Sequence, residues 1–560
     1  MSTRKPLGSR QAAPLGFAAF PPTLFAGRRF AVVGLGRNGL PVARALLAMG
    51  AEVAAWDDKP ETRAAAGLPV LDLSGLREPL GSAGAAKSHL RFARAPQQAH
   101  GLAGFDALVL SPGIPHRLPA PHPAAVAAHQ AGIPILSDAE LLFQAVRATG
   151  SKARFVGITG TNGKSTTTAL LAHILSSAGI EAVAGGNLGV PALALPALGD
   201  GGVYVLEMSS YMLERLTTLR FDAAALLNLS PDHLDRHGDM AGYVAAKRHV
   251  FDRQGPANPL VRRMDARKWP RQRNGGVCAD FAGLAVVGID DDESAGVARD
   301  LHRPGRNAWR GPGRNSWRGP GRNAWRGPQL VTVSGQHPAD VWCDGGRLRD
   351  GDGPILTMSD APALPGPHNA QNAAAAAALA LALGASREAV ARGIAGFGGL
   401  PHRQQRVAVV DGVAWVNDSK ATNADAAARA LACYGRLVWI AGGIAKAGGI
   451  EPLRALFPRV AHAVLIGRDA PLFAGTLAAA GVPFTMAGTL DAAVPAARDA
   501  AARTDSPVVL LSPACASFDQ FASFEARGDR FHDLVLAPAL TTPASTTPTL
   551  TTPTLTTRSA

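Results

Sequence analysis

The stretch GITGTNGKSTTT at residues 157–168 predicts a glycine-rich turn between a strand and a helix. The apolar run that leads into it predicts a strand, and leucine and isoleucine recur at helical spacing behind it. A glycine-rich turn between a strand and a helix directs backbone N–H groups and the positive end of a helix dipole at one point, which suits a phosphate. Lys164 offers a charge for the outer phosphates, and Ser165 or Thr166 offers a hydroxyl for Mg²⁺.

The spacing of this loop differs from that of the common phosphate-binding loop. The common motif has a glycine four residues before its Gly-Lys pair, and that position is Ile158 here. We interpret 157–168 as a variant phosphate-binding loop that holds a nucleotide. The alternative is an ordinary glycine-rich turn with a surface lysine. The predicted nucleotide contacts are Gly160, Thr161, Asn162, Gly163, Lys164, Ser165 and Thr166.

Length and composition narrow the class of protein. A chain of 560 residues suggests about three domains of ordinary size. Its four cysteines show no C-x-x-C spacing, which argues against a zinc site or a disulfide framework and suits a reducing cytoplasm. No apolar stretch is long enough to cross a bilayer, so we expect no membrane insertion. We predict a cytoplasmic protein.

A tandem repeat explains much of the basic charge. Three copies of an eight-residue unit, GRNAWRGP or GRNSWRGP, occupy 305–328, and the seven arginines of 303–328 supply more than half of the net charge of +13. A unit this short with Gly and Pro in every copy cannot bury a core. Its Arg and Trp could bind RNA by charge and stacking. We prefer a solvated low-complexity insertion, at about 254–328, and expect no nucleic-acid partner.

The N-terminal part predicts a Rossmann-like domain at 28–148, after a disordered leader at 1–27. A strand is followed by GLGRNG and a helix, and an acidic residue follows about 20 residues later, which is a nucleotide-binding fingerprint. NAD and the diphosphate of a UDP-sugar both suit such a turn. A second strand end carries Ser111 in the turn SPGI, whose alternative is an ordinary β-turn.

The remaining chain predicts two further α/β domains. The central P-loop ATPase-like domain spans 149–365, and the C-terminal Rossmann-like domain spans 366–540, followed by a disordered Thr/Pro tail at 541–560. Ligands meet the carboxyl ends of strands in such sheets. We therefore expect these central-domain residues to lie where the phosphate-binding loop opens: Glu207, Asn228, Asp232, His233 and Asp235.

With these motifs in hand, the chain resembles the Mur ligases, the ATP-dependent enzymes that add amino acids in peptidoglycan synthesis. The shared marks are GTNGKST, Glu207 at a strand end, DHLDRH, HNAQN and DSKATN. NDSKATN (417–423), GGIAK (442–446) and SPACASFDQFASFEARG (512–528) resemble the members that add D-glutamate to UDP-MurNAc-L-Ala. The resemblance covers roughly 28–250 and 330–535.

The resemblance implies a reaction and a set of residues. ATP phosphorylates a carboxylate, an amine attacks the acyl phosphate, and two Mg²⁺ ions assist. The first Mg²⁺ would bind Ser165 or Thr166 with Glu207, and the second His233 with Lys247, which CO₂ carbamylates. The expected catalytic residues are Lys164, His233, Lys247 and Lys420; further ATP contacts are Asn369, Asn372 and Arg403; UDP-sugar contacts are Arg37, Asn38, Asp57, Ser111 and Asn187; D-glutamate contacts are Thr422, Lys446, Ser517, Phe518 and Phe524.

Other interpretations remain open at this stage. Asn369 and Asn372 could instead cap the helix they begin, and Lys247 and Lys420 could be solvated lysines. A related ligase for a different amino acid, including the folyl-polyglutamate type, shares the phosphate chemistry. An NAD-dependent oxidoreductase would explain GLGRNG but not the other motifs. The partners that the resemblance implies are small molecules, and it implies a monomer.

Overall fold

A computed structural model describes residues 19–68, 102–252, 254, 283–302, 328–446 and 448–537. The chain forms two compact units, Met1–Gly399 and Leu400–Ala560. Both contain parallel sheets with interspersed helices, so the predicted α/β class is confirmed. No helix in the described part of the chain is both long and apolar enough for a membrane span.

The first sheet is built from short buried strands near the N-terminus. Its strand order is β2-β1-β3-β4, and every pairing is parallel. The elements are β1 (Arg29–Val33), α1 (Gly39–Ala48), β2 (Glu52–Trp56), α2 (Pro60–Ala66), β3 (Ala107–Leu110), α3 (Pro123–Ala131), β4 (Ile135–Leu136) and α4 (Asp138–Ala148). The predicted strand–turn–helix at GLGRNG is therefore confirmed.

Part of the predicted leader belongs to the folded core. Phe25 is 3% exposed, its N–H donates to Met49 O at 2.8 Å, and its ring lies 5.7 Å from that of Phe30. The prediction of disorder was wrong for residues 19–27, because this aromatic side chain covers the end of the first sheet. Residues 1–18 lie outside the described part, as do the repeats at 305–327 and the tail at 541–560.

The second sheet has nine strands and carries the phosphate-binding loop. Its order is β13-β12-β11-β10-β9-β8-β5-β7-β6, parallel from β11 to β6 and antiparallel in the β11-β12-β13 meander. The elements are β5 (Arg154–Thr159), α5 (Lys164–Ser177), β6 (Ala182–Gly186), β7 (Val203–Glu207), α6 (Ser210–Leu213), β8 (Ala223–Leu226), α7 (Leu234–His237), α8 (Met240–Arg248), β9 (Leu284–Gly288), α9 (Asp292–His302), β10 (Gln329–Ser334), β11 (Val341–Asp344), β12 (Arg347–Asp350) and β13 (Gly353–Thr357).

The low-complexity insertion predicted at 254–328 was drawn too wide. Strand β9 lies inside that range and pairs with β8 on one side and β10 on the other, in the interior of the sheet. All five of its residues, LAVVG, are buried. A short continuous apolar run is typical of a strand covered on both faces, and the charged, proline-rich sequence around it concealed this signal.

The boundary before the C-terminal unit also differs from the predicted one. Helices α10 (Pro367–Ala382) and α11 (Arg387–Ala395) pack on α5, and α10 also packs on β10 and β11. The second compact unit therefore begins at Leu400 and not at 366. The alanine-rich helix α10 is buried nearly throughout, because it packs against a sheet and a helix of the first unit.

The second unit contains a six-stranded sheet of order β14-β15-β20-β16-β18-β19, parallel except for the β14-β15 hairpin. A two-stranded ribbon pairs β17 with β21. The elements are β14 (Gln405–Val410), β15 (Val413–Asn417), α12 (Ala424–Leu431), β16 (Leu437–Gly442), β17 (Ile444–Ala445), β18 (Val460–Ile466), α13 (Ala470–Ala479), β19 (Phe484–Gly488), α14 (Leu490–Thr504), β20 (Val508–Leu511), β21 (Cys515–Ala516) and α15 (Phe524–Leu536).

Candidate active site

The glycine-rich loop joins β5 to α5 as predicted. Gly160 has φ +146° and Gly163 has φ +81°, backbone conformations that favour glycine. Gly163 lies immediately before the first residue of α5, and a β-carbon there would collide with the Asn372 amide. This turn therefore favours glycine at both positions, and α5 has no side-chain cap at its N-terminus.

Asn228, at the carboxyl end of the neighbouring β8, holds the loop in shape. Its Oδ1 accepts from Asn162 N at 2.8 Å, and its Nδ2 donates to Asn162 O at 3.1 Å. Its backbone carbonyl accepts from Thr161 N at 2.9 Å. The sequence placed Asn228 at this edge of the sheet but gave it no role. An asparagine side chain can accept from the N–H and donate to the carbonyl of one residue at once. This property is the sequence signal that could have indicated the role of Asn228.

Two lysines meet at one backbone carbonyl of the loop. Lys164 Nζ donates to Gly160 O at 2.9 Å and to Thr161 O at 2.8 Å, while Lys247 Nζ donates to the same Gly160 O at 2.8 Å. Lys247 is 2% exposed. Burial and then the charge of Lys164 lower the pKa of Lys247 well below its ordinary value. Both effects favour the neutral amine at Lys247 more than at an exposed lysine.

His233 and Glu207 lie close enough to these lysines for their charges to interact. Burial lowers the pKa of His233, and the charges of Lys247 and Lys164 lower it further, while Asp232 raises it. Glu207 in turn raises the pKa of Lys247. The predicted residues from three separate segments thus surround the loop, and the imidazole of His233 is favoured in its neutral form.

The carboxylate of Glu207 is only half satisfied. It is 2% exposed, and Asn187 Nδ2 donates to its Oε1 at 2.8 Å, whereas its buried Oε2 has no hydrogen-bond partner in the described part of the chain. A buried carboxylate oxygen without a partner is costly and fits a cation ligand. Asn187 was predicted to contact the UDP-sugar, whereas in the structure its side-chain amide donates to Glu207.

The donor set fits magnesium better than a softer metal. Within the described residues there is no cluster of three or more His, Cys, Asp or Glu side chains that could bind a metal. The predicted sets instead combine Glu207 with a hydroxyl of Ser165 or Thr166, and His233 with a modified Lys247. Oxygen-rich ligands with few protein contacts suit Mg²⁺, which keeps several waters.

A cavity of about 430 Å³ opens at the glycine-rich turn of the first sheet. It brings together four of the predicted UDP-sugar residues, and Asn187 is not among its lining residues. Asp57 accepts from Leu35 N at 2.7 Å and from Lys59 N at 3.0 Å, and this fixes the cavity's rim. The predicted residues in its lining are Arg37, Asn38, Asp57 and Ser111.

Sequence reasoning missed His122 in this cavity. The residue precedes α3, and its Nδ1 accepts from Ala124 N at 3.2 Å, so a neutral ring carries its proton on Nε2. Burial lowers the pKa of His122, although Asp58 raises it. His122 therefore offers the cavity an uncharged N–H donor. A histidine immediately before a proline at a helix start was its only sequence signal.

Asn369 and Asn372 do not cap α10. The N-cap of that helix is Gly366, with no side-chain hydrogen bond, and both asparagines are buried within the first turns. Asn372 Nδ2 donates to Asn369 Oδ1 at 3.1 Å, and Asn369 Nδ2 donates to Pro365 O at 2.8 Å. The capping interpretation was wrong. The pair instead lies beside Gly163, the position expected for nucleotide contacts.

Replacing Gly163 by alanine is expected to reduce nucleotide affinity by at least ~10-fold, because the β-carbon would strain the left-handed backbone and displace Asn372. Gly179 is the matched control. Its φ is +75° and nothing lies within 4 Å of its β-carbon position, so Gly179→Ala has the backbone strain alone. Calorimetric titration with ATP measures both variants. Equal affinities would contradict the role of this contact.

In the second unit, the NDSKATN motif is organised by buried hydrogen bonds. Asp418 accepts from Ser512 Oγ at 2.8 Å and from Gln404 N at 3.1 Å, and burial raises its pKa to about 7. Lys420 Nζ lies 3.8 Å from the centroid of the Phe524 ring. Asn423 caps α12 by accepting from Ala426 N at 2.8 Å.

The predicted amino-acid site contains two buried polar atoms without hydrogen-bond partners in the described part of the chain, Ser517 Oγ and Arg527 Nη1. The ribbon pairs Ile444 with Ala516, which brings Lys446 and Ser517 into the same small structure. Arg527 was missed. Its Nη1 lies 3.4 Å from the β-carbon position of Gly443, beside this ribbon.

The other predicted residues of the second unit fall on the same loops. The Phe518 side chain is 71% exposed. Thr422 N donates to Lys420 O at 2.8 Å, and the charge of Arg403 lowers the pKa of Asp418 against the larger effect of burial. Thr422 and Arg403 thus lie near Lys420 and Asp418 respectively.

Comparison with known proteins agrees with this geometry. The Mur ligase middle domain family matches residues 158–295, which include the phosphate-binding loop, Glu207 and the DHLDRH turn. This match assigns the central part of the chain to the Mur ligase class.

Curated relatives define the particular branch. A UDP-N-acetylmuramoylalanine–D-glutamate ligase of Paramagnetospirillum magneticum is 45% identical over 519 residues, covering 92% of this chain and 97% of that protein. Its counterpart in Rhodospirillum rubrum is 44% identical over 514 residues, covering 91% and 95%. The chain therefore belongs to the Mur ligase family, in the branch of the UDP-N-acetylmuramoylalanine–D-glutamate ligases.

Proposed function

We propose that this chain uses ATP to join D-glutamate to UDP-N-acetylmuramoyl-L-alanine during peptidoglycan precursor synthesis, as a cytoplasmic monomer. The observation that carries the proposal is the 45% identity, over nearly the whole chain, to a ligase of that name. The L-alanyl carboxylate takes the γ-phosphoryl group and ADP leaves. The amine of D-glutamate then attacks the acyl carbon, loses a proton and expels phosphate, which forms the amide.

The phosphoryl step requires cations and N–H donors, because a carboxylate and a triphosphate must approach each other. The N-terminus of α5 and Lys164 provide them at the loop. Lys164 Nζ donates to the Gly160 and Thr161 carbonyls of the loop, and from there it would reach a bound phosphate. Asn369, Asn372 and Arg403 would contact the rest of the nucleotide.

Two magnesium sites fit the residues around the loop. The first would use the unpartnered Glu207 Oε2 and a hydroxyl of Ser165 or Thr166. The second would use the neutral His233 imidazole and a carbamate on Lys247. Bound Mg²⁺ would offset the negative charge of the triphosphate and of the developing acyl phosphate.

The environment of Lys247 supports its carbamylation. Only a neutral amine attacks CO₂; a new N–C bond forms and a proton is released, which leaves a negatively charged carbamate. Burial and Lys164 favour the neutral amine. The carbamate would place an anion beside the Lys164 ammonium at Gly160 O, and these two groups attract each other, whereas two ammonium groups there would repel.

The second unit would bind D-glutamate and stabilise the acyl phosphate. D-glutamate has two carboxylates, and Ser517 Oγ offers a buried hydroxyl that has no protein partner within the described residues. Lys446, Thr422 and the Phe518 backbone would provide further donors, and Phe524 packs against Lys420. Lys420 would then contact the phosphate of the acyl phosphate.

The function is tested by phosphate release from ATP in the presence of UDP-N-acetylmuramoyl-L-alanine and a panel of amino acids. We expect release with D-glutamate, at least ~100-fold slower release with L-glutamate, and no release without the sugar nucleotide. Mass spectrometry of the product checks that one glutamate has been added. Faster release with another amino acid would replace D-glutamate in the proposal.

A further inference from the structure

Arg215 connects the two sheets of the first unit through an unusual set of contacts. It follows α6, beside the nine-stranded sheet, yet its guanidinium binds the turn after β3 of the four-stranded sheet. Nη1 donates to Leu110 O at 2.8 Å and to Ser111 O at 3.3 Å, and Nη2 donates to Ile114 O at 2.5 Å. The residue is 3% exposed, so these hydrogen bonds are shielded from water.

A second arginine binds the same turn. Arg236 Nη1 donates to Gly113 O at 2.9 Å, and its guanidinium lies 4.3 Å from the centroid of the Tyr211 ring. Charged donors to carbonyls make strong hydrogen bonds. Burial and the charge of Arg236 lower the pKa of Arg215 to about 10, so Arg215 is still charged at neutral pH. Two guanidinium groups thus fix the backbone of residues 110–114.

This turn forms one wall of the cavity at the GLGRNG turn. Ser111, Pro112, Gly113 and Ile114 all line the cavity. Ser111 Oγ also donates to Gly34 O at 2.7 Å, which joins the wall to the glycine-rich turn opposite. Because an arginine donates five N–H groups in a rigid plane, a shift of Arg215 would change the position of this wall.

The two arginines come from the segments that carry the proposed metal ligands. Arg215 follows Glu207 through α6, and Arg236 is on α7, next to His233. The segments also contact each other, since His237 Nε2 lies 2.9 Å from Ser210 Oγ. The wall of the sugar-nucleotide cavity is therefore attached to the same backbone that presents Glu207 and His233.

We infer that Arg215 and Arg236 are positioning residues for the sugar-nucleotide substrate, an inference that rests on the proposed function. They hold the wall 110–114 so that a UDP-sugar bound in the cavity extends toward the phosphate-binding loop. Both guanidinium groups would act through the wall, because they bind its backbone carbonyls. Arg215 carries most of this role because it is buried and binds three carbonyls.

The test compares Arg215→Met with Arg215→Lys and with Arg147→Met. Arg147 is the matched control, since it also donates to backbone carbonyls, Ser151 O at 2.8 Å and Ala153 O at 3.0 Å, but away from the cavity. We expect Arg215→Met to raise the KM for UDP-N-acetylmuramoyl-L-alanine at least ~10-fold while the KM for ATP changes less than ~2-fold. Arg215→Lys should recover part of the loss, and Arg147→Met should change neither KM.

Calorimetric titration with UDP separates this inference from the proposed reaction. We expect the wild type and Arg147→Met to bind UDP with similar affinity and Arg215→Met to bind it more weakly. This result supports the inference, whatever amino acid the enzyme adds. Equal UDP affinity in all three proteins overturns it, and so does an equal rise of both KM values. Thermal melting identifies any variant that is unfolded. If Arg215→Met is unfolded, the UDP affinity and the two KM values of Arg215→Lys decide the outcome instead.

Discussion

Replacing Lys247 by alanine is expected to slow ligation by about 10²–10³-fold, the loss typical of removing one preorganised charged group from an active site. The amine is buried beside Gly160 O and Lys164, and this environment lowers its pKa well below the ordinary lysine value. Under the proposal it becomes a carbamate that completes the second magnesium site. Alanine removes that anion and leaves His233 as the remaining protein ligand. Phosphate release at saturating substrates measures the effect.

Rescue distinguishes this chemistry from a structural role. Acetate or propionate can enter the space left in Lys247→Ala and supply a carboxylate, so added salt of either acid should raise the variant's rate several-fold, whereas chloride should not. Lys247→Arg should be as slow as alanine and should not respond, because a guanidinium neither reacts with CO₂ nor leaves space. Arg248→Ala is the control; Arg248 is the next residue and binds Asp300 at 2.9 Å. Wild-type activity in Lys247→Arg would refute the carbamate.

Part of the candidate site could be predicted because sheet topology fixes it. Glu207 ends β7 and Asn228 follows β8, and the carboxyl ends of these buried strands lie beside that of β5. Parallel pairing forces such positions to one edge whatever the side chains are. The glycine at 163 and the helix behind it follow from local rules of the same kind. These inferences needed no knowledge of contacts between distant residues.

The contacts that sequence reasoning missed depend on tertiary packing. Nothing local to Arg215 indicates that its donors reach carbonyls at 110–114, about a hundred residues earlier in the chain. His122 and Arg527 are similar cases, since each becomes notable only when burial leaves its polar atoms facing a cavity or a ribbon. The assignment of α10 to the wrong domain has the same origin, because an alanine-rich helix carries no periodicity that shows which sheet it will cover.

Glu140 is a buried carboxylate at the junction between the two sheets of the first unit. It is on α4, it is fully buried, and its oxygens accept from Thr217 N at 2.9 Å, Thr218 N at 3.0 Å and Leu219 N at 2.9 Å. The Thr218 hydroxyl and Gln144 Nε2 also donate to it. A helix of the first domain is thus fixed to backbone amides of the central domain.

Replacing Glu140 by alanine is expected to lower the free energy of unfolding by about 3–5 kcal/mol, because several buried N–H groups lose their acceptor at once. Burial alone would raise the pKa of Glu140, but hydrogen bonds from Thr218, Leu219 and Thr217 outweigh it and hold the pKa below its ordinary value. The stabilisation that this shift represents is complete above the unfolded-state pKa of about 4.3 and is lost as pH falls through the lower folded-state pKa.

Thermal or urea unfolding of Glu140→Ala, Glu140→Gln and the wild type between pH 8 and pH 3 tests this prediction. It measures the size of the loss in unfolding free energy and the sign of its pH dependence. The wild type should lose stability relative to Glu140→Gln as the pH falls below about 4.3, since the amide has no proton to take up. Glu52→Ala is the control: Glu52 is exposed and pairs with Arg29 at 3.4 Å, so its loss should cost less than about 1 kcal/mol. A Glu140→Ala protein as stable as Glu52→Ala would show that these hydrogen bonds do not hold the junction.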